Sequence, residues 1–186
     1  MGPVRVFVAV PVPDEVRHGL VAALGAAVDV IPGKVVRPGN WHITLRFLGE
    51  IEETAYELLV ARLAEAELGE RFRLRWGGLG AFPRAPRATV LWVGPDRGQG
   101  ALAELAVAVD RAVDRAGFPA EDRPFSPHLT LSRIRPAADV STLVGATPPL
   151  GITMAVDRVT VYQSRLGSGG AAYRVLEEIP LPGHGK

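Results

Sequence analysis

The chain has 186 residues and a net charge of +1, with 47% hydrophobic and 22% charged residues and no cysteine. These proportions suit one well-cored globular domain and exclude disorder, and the balanced charge excludes a global footprint for nucleic acid, so any anionic ligand has to be recognised locally. Without Cys there are no disulfides, thiol nucleophiles or cysteine zinc sites; the opening MGPVRVFVAVPVPDEV lacks a signal-peptide pattern and no apolar run approaches a membrane span, so the expectation is a cytoplasmic protein away from membranes.

In chain order, the β-branched run Val4 to Val10 predicts a buried strand. Asp14 and Glu15 then open a helix running to about Val28, whose apolar residues Val16, Leu20 and Leu24 are expected to cover that strand. Pro32, Gly33, Pro38 and Gly39 punctuate a short extended link, and Trp41 to Glu50 reads as a strand. Helical periodicity returns from Glu52 to about Leu68, and Arg71 to Trp76 alternates as a half-exposed strand does. GGLGAFPRAPRA reads as a turn-rich loop. A buried strand from Thr89 and a helix through Leu102, Leu105, Val109 and Val113, closed by Gly117, come next. Pro127 to Arg133 reads as a strand and Asp139 to Val144 as a short helical or irregular piece. Ile152 to Leu166 and Ala171 to Leu181 flank the GSGG at 167–170 and predict a hairpin.

One phrase occurs twice: His42-Ile43-Thr44-Leu45 and His128-Leu129-Thr130-Leu131. Two of four histidines followed by x-Thr-Leu is a coincidence of roughly one sequence in ten thousand, so the pair is read as a shared site. In a strand the His and Thr of each phrase point to one face and the apolar residues to the other. Strand, helix and His-x-Thr-Leu strand describe both 4–48 and 89–132, which predicts two related modules whose motif strands face each other across a pseudo-two-fold cleft. Two imidazoles in one cleft suit a displacement at phosphorus, one accepting a proton from the attacking oxygen and the other donating one to the leaving oxygen, with the Thr hydroxyls on phosphate oxygens.

Other chemistries fit less well. Two His without a carboxylate cluster form a thin metal set, and Glu121 and Asp122 near the second phrase have no counterparts near the first. No Gly-x-Ser-x-Gly elbow accompanies Ser126 or Ser132, and GSGG lacks the Lys and helix start of a phosphate loop. His18 and His184 are read as solvated. No metal and no cofactor are expected.

HITLRFLGE and PHLTLSR, with the opening RVFVAVPVPDEV and the closing VTVYQSRLGSGGAAYRVL, resemble the two-histidine phosphoesterases, specifically the RNA 2′,3′-cyclic phosphodiesterase group first described as 2′-5′ RNA ligases. The resemblance spans essentially the whole chain. It implies a bilobal α+β fold, with two pseudo-symmetric antiparallel-sheet lobes, helices on the outer faces and a central cleft, in a single domain over 1–186. It also implies metal-independent hydrolysis of RNA 2′,3′-cyclic phosphate ends to 2′-phosphates and, for some members, reversible 2′-5′ joining.

Carried over, the family pattern makes His42 the proton donor, His128 the proton acceptor, and Thr44 and Thr130 phosphate-binding hydroxyls. Arg133 matches a basic residue that holds the phosphate, although it points away from His128 unless a bulge or strand end after Leu131 re-aims it. Arg46 shares the His42 face by parity and is a further phosphate candidate. Among Phe7, Phe82, Trp92 and Tyr162, core packing suits Phe7 and Trp92 better, and Tyr162 is a candidate ligand contact. Expected partners are RNA ends or small cyclic-phosphate nucleotides, with the chain a monomer. The rival readings are a phosphodiesterase for small nucleotides or ADP-ribose cyclic phosphate, and a non-catalytic module that binds RNA ends.

Overall fold

The structure is a computed structural model and describes residues 3–168 and 170–183. Its strands are β1 (Val4–Pro11), β2 (Lys34–Val35), β3 (His42–Ile51), β4 (Phe72–Phe82), β5 (Ala88–Arg97), β6 (Leu129–Ala138), β7 (Thr153–Val156), β8 (Arg158–Gly167) and β9 (Gly170–Pro180). The helices are α1 (Asp14–Leu24), α2 (Glu53–Ala64), α3 (Gln99–Arg115) and α4 (Ser141–Ala146).

Two antiparallel sheets result, in the orders β3-β1-β8-β9 and β2-β6-β5-β4-β7. Setting the two-residue β2 aside, each sheet runs from a motif strand to its module's opening strand and then to two further strands. The sheets are thus related by a pseudo-two-fold that brings β3 and β6 against each other. This is the bilobal α+β architecture, with the repeated phrases at the centre.

The apolar strand β1 is central in its sheet, so Val6 and Val8 are fully buried and only Arg5 of its core residues is exposed. Helix α3 shows why the 3.6-residue period was readable: Leu102, Leu105, Val109 and Val113 recur on one stripe and are all buried, each large side chain contributing about 1.5–3 kcal/mol of apolar transfer. That stripe lies on β3, while α2 contacts α3 and β9, so both helices cover the first sheet. Helix α1 differs from expectation. It ends at Leu24, where Gly25 takes a φ of +51°, and a 3₁₀ turn fills 25–30. Its Gly19 lies against Ile152, ahead of β7, and it contacts the turn at 38–40, so the helix after β1 is carried towards the second sheet.

Two other boundaries moved. Residues 77–82 continue β4 where a loop was expected, because the bare Cα of Gly80 lies where the Trp92 ring crosses from the paired strand, and a Cβ there would strike it. The stretch 152–166 is two strands rather than one: β7 pairs β4 in the second sheet, the chain breaks at Asp157, and β8 pairs β1 in the first. The hairpin of β8 with β9 forms as expected, pairing up to Gly167 and Gly170. Gly169 and His184 lie outside the described residues. Among the described residues, no helix is long and apolar enough to cross a membrane.

Candidate active site

The two phrases share a local irregularity that decides which side chains meet. On β3, Thr44 and Arg46 oppose the adjacent residues Ala9 and Val8, leaving Leu45 as the extra residue of a bulge. On β6, Thr130 and Ser132 oppose the adjacent Trp92 and Leu91, leaving Leu131 as the extra residue. Each bulge follows the Thr of its phrase and inverts the alternation beyond it. The fourth residue after the His therefore turns inward, and the fifth returns to the His face.

The consequence is visible in burial. Arg46 is 5% exposed, on the α3 side of β3, where it donates to Asp110 at 2.8 Å and to the Pro119 carbonyl, with Glu121 at 3.9 Å from its Nε. It does not line the cleft, so its candidacy for phosphate contact is withdrawn: the parity that placed it beside His42 is broken at Leu45. Ser132 is the corresponding buried residue of β6 and donates to the Pro32 carbonyl at 2.5 Å. Arg133 is re-aimed by the bulge at Leu131 and lines the cleft.

His42, Thr44, His128, Thr130 and Arg133 line one cleft of about 410 Å³ between the sheets. Both imidazoles are held in the same way. His42 Nδ1 lies 2.8 Å from the Asn40 carbonyl and His128 Nδ1 lies 2.7 Å from the Ser126 carbonyl, two residues back in each phrase. A carbonyl only accepts, so each Nδ1 carries a proton and each Nε2 is the nitrogen that exchanges one. His42 Nε2 is 3.0 Å from Thr44 Oγ1, which donates to it while the ring is neutral.

Rings brace the imidazoles from the side. Phe7 lies 4.8 Å and Tyr173 5.2 Å from the His42 ring, and Phe82 meets the His128 ring edge-on at 5.0 Å. This environment sets the titration. Burial is the main cause that lowers His42 from 6.5 to about 4; the Asn40 carbonyl opposes it, and the charges of His128 and Arg133 add to it. His128 is also lowered, again mainly by burial, opposed by the Ser126 carbonyl and reinforced by Arg133.

Tyr162 does not line this cleft. It stacks behind Phe7 at 5.2 Å, where β8 pairs with β1, and borders a separate depression with Asp157 and Glu178, so it is corrected to a second-row ring. The cleft tyrosine is Tyr173, on β9, which sequence reasoning missed because nothing in the local pattern of YRVL announces a ring set against a residue 131 positions earlier. Arg5 and Phe47 were also missed: both line the cleft, with the Arg5 guanidinium 4.9 Å above the Phe47 ring. The repeat itself was the available signal, since a bulge at Leu131 implies one at Leu45. Phe7 is buried yet also borders the cleft, whereas Phe82 and Trp92 pack against each other at 5.2 Å. His18 is exposed, as read. Among the described residues, no three His, Asp or Glu side chains converge as metal ligands.

Two strands that present His and Thr twice to one cleft, on a bilobal frame, define a two-histidine phosphoesterase. The 2′-5′ RNA ligase superfamily profile matches residues 36–167, and the chain belongs to that superfamily. An Aeropyrum pernix protein named RNA 2′,3′-cyclic phosphodiesterase is 38% identical over 160 residues, covering 84% of this chain and 90% of its own. Escherichia coli LigT in its apo form superposes with a TM-score of 0.81 at 28% identity, covering 98% of this chain and 99% of its own. Its complex with 3′-AMP gives 0.80 at 29% identity, covering 96% and 98%.

Proposed function

We propose that this protein hydrolyses RNA 2′,3′-cyclic phosphate ends to 2′-phosphates, with the two imidazoles as acid and base and without a metal ion. The observation that carries the reading is the matched pair of histidines, each with Nδ1 bound to a carbonyl two residues back and both lining one cleft. Water attacks phosphorus opposite the 3′ oxygen and gives its proton to His128 Nε2. The bond from phosphorus to the 3′ oxygen breaks, and His42 Nε2 supplies the proton that makes it a hydroxyl. Thr44, Thr130 and Arg133 hold the non-bridging oxygens as charge shifts among them.

Burial leaves His42 neutral in the free protein at neutral pH, and so its proton arrives with the substrate: an anionic phosphate in the cleft favours the imidazolium. Thr44 then releases Nε2 and turns its own proton to a phosphate oxygen. With the 5′-hydroxyl of a second strand in place of water, the same exchange opens the cyclic phosphate and forms a 2′-5′ phosphodiester, the 3′ oxygen leaving as a hydroxyl.

The whole of 1–186 acts as one bilobal unit, a cytoplasmic monomer whose partners are RNA ends; the names of the matched relatives favour RNA over small nucleotides. Product analysis tests this. An oligonucleotide ending in a 2′,3′-cyclic phosphate, incubated with the protein and excess chelator, should yield only a 2′-phosphate end. A 3′-phosphate product, or activity abolished by the chelator, would overturn the mechanism, and tight binding without turnover would leave a binding module.

A further inference from the structure

The link between α1 and β3 brings to the cleft a cation that the repeated phrases do not announce. Lys34 on β2 stands opposite Arg133 on β6. Residues directly opposed on antiparallel strands share a face, so both side chains turn to the cleft side of the second sheet. The Lys34 ammonium reaches across to the first sheet, where it would lie 3.3 Å from a Cβ at Gly170, in the turn of the hairpin of β8 with β9. The same hairpin is tied to the link by Asn40, which donates to the Ala171 carbonyl at 2.8 Å.

Like charges directly opposed across a strand pair repel, and among the described residues no carboxylate forms an ion pair with Lys34 or Arg133. The stretches 32–40 and 124–138, which build this end of the cleft, carry Lys34, Arg37, Arg133 and Arg135 and neither Asp nor Glu. What the opposed pair lacks is therefore anionic, and one phosphate does not serve both cations. Arg133 lines the cleft and lowers both imidazoles, whereas Lys34 is exposed, lies outside the cleft lining and is not among the charges that act on either ring. Arg5, the other cation of the cleft, is already set over the Phe47 ring and opposite Glu50.

A 2′,3′-cyclic phosphate occupies two oxygens of the terminal ribose, so the rest of an RNA chain leaves through the 5′ oxygen, which carries the next phosphate. We infer that Lys34 binds that next phosphate, so that the reacting group lies at Arg133 and the phosphodiester on the 5′ oxygen of the terminal nucleotide lies on the rim, between Lys34 and the hairpin turn. The inference rests on the proposed cyclic-phosphate chemistry for the placement of the reacting group, but it concerns selection of an RNA end over a lone nucleoside rather than turnover. The long, rotatable Lys side chain suits a phosphate whose position varies with the chain, as the planar Arg fork suits one held still for reaction.

Calorimetric titration of the full chain with adenosine 2′-phosphate and with adenosine 2′,5′-bisphosphate tests it, because the two ligands differ only by the phosphate on the 5′ oxygen. The wild type should bind the bisphosphate more tightly, and Lys34→Gln should remove roughly two- to fivefold of that preference, the range of an exposed ion pair. Lys34→Arg should retain the preference, which should shrink as salt rises. A wild type that does not prefer the bisphosphate, or a Lys34→Gln that weakens both ligands equally and so keeps the preference, would overturn the assignment. Turnover is scored separately: a Lys34-dependent preference in a wild-type protein that leaves cyclic phosphates intact would refute the catalytic reading and leave this one standing.

Discussion

Replacing His42 by Asn should make the protein less sensitive to acid, even though the variant loses its proton donor. In the native state burial holds His42 at about 4, whereas an unfolded chain titrates it at 6.5. Above 6.5 the ring is neutral in both states and contributes no pH dependence. As the pH falls from 6.5 towards 4, the unfolded chain takes up a proton that the native state refuses, and stability is lost across that window. At about 1.36 kcal/mol per pKa unit, the full difference is about 3 kcal/mol, most of which is realised between pH 7.5 and 4.5. Urea denaturation at these two pH values measures it. The wild type should lose about 2–3 kcal/mol more than His42→Asn, and the comparison cancels the carboxylates and His128, which titrate in both. Equal losses would refute the claim that His42 is held neutral by burial. Saturating phosphate should shrink the wild-type loss, because an anion in the cleft stabilises the imidazolium.

Arg133→Gln removes a charge that lowers both imidazoles, so both limbs of the kcat/KM profile should move to higher pH while kcat/KM itself falls roughly 10- to 150-fold, as for a lost charge-assisted bond; unmoved limbs would place Arg133 outside the field of the pair. Arg46→Met strands the Pro119 carbonyl and the half-exposed Asp110, and thermal or chemical denaturation should show a loss of about 1–3 kcal/mol with phosphate affinity unchanged. A phosphate affinity reduced tenfold or more with stability intact would return Arg46 to the cleft.

The contrast between these two arginines shows what the amino-acid order reveals and what it hides. Identity and spacing announce His42, Thr44, His128 and Thr130, because the phrase recurs and each copy lies at the start of its strand, before any irregularity. Alternation alone misplaces both Arg46 and Arg133, one bulge turning the first inward and the other bringing the second into the cleft, since pairing with the neighbouring strand, not local propensity, decides where a residue is squeezed out of register. The same dependence on partners explains β4, where Gly80, read as part of a turn, makes room for the Trp92 ring, and the break at Asp157, where one apolar run is shared between two sheets. Helix α3 was legible because its stripe records burial against a single surface. Tyr173 and Arg5 enter the cleft only through the pairing of distant strands, which a one-dimensional period does not record.

The central claim is that two equivalent imidazoles in one cleft perform the acid and base steps. Turnover of an oligonucleotide 2′,3′-cyclic phosphate by His42→Ala and by His128→Ala, each checked for native circular dichroism, tests it most directly. Both substitutions should lower kcat by about 10²–10⁴-fold. A folded variant of either residue that retains more than a tenth of wild-type turnover would contradict it.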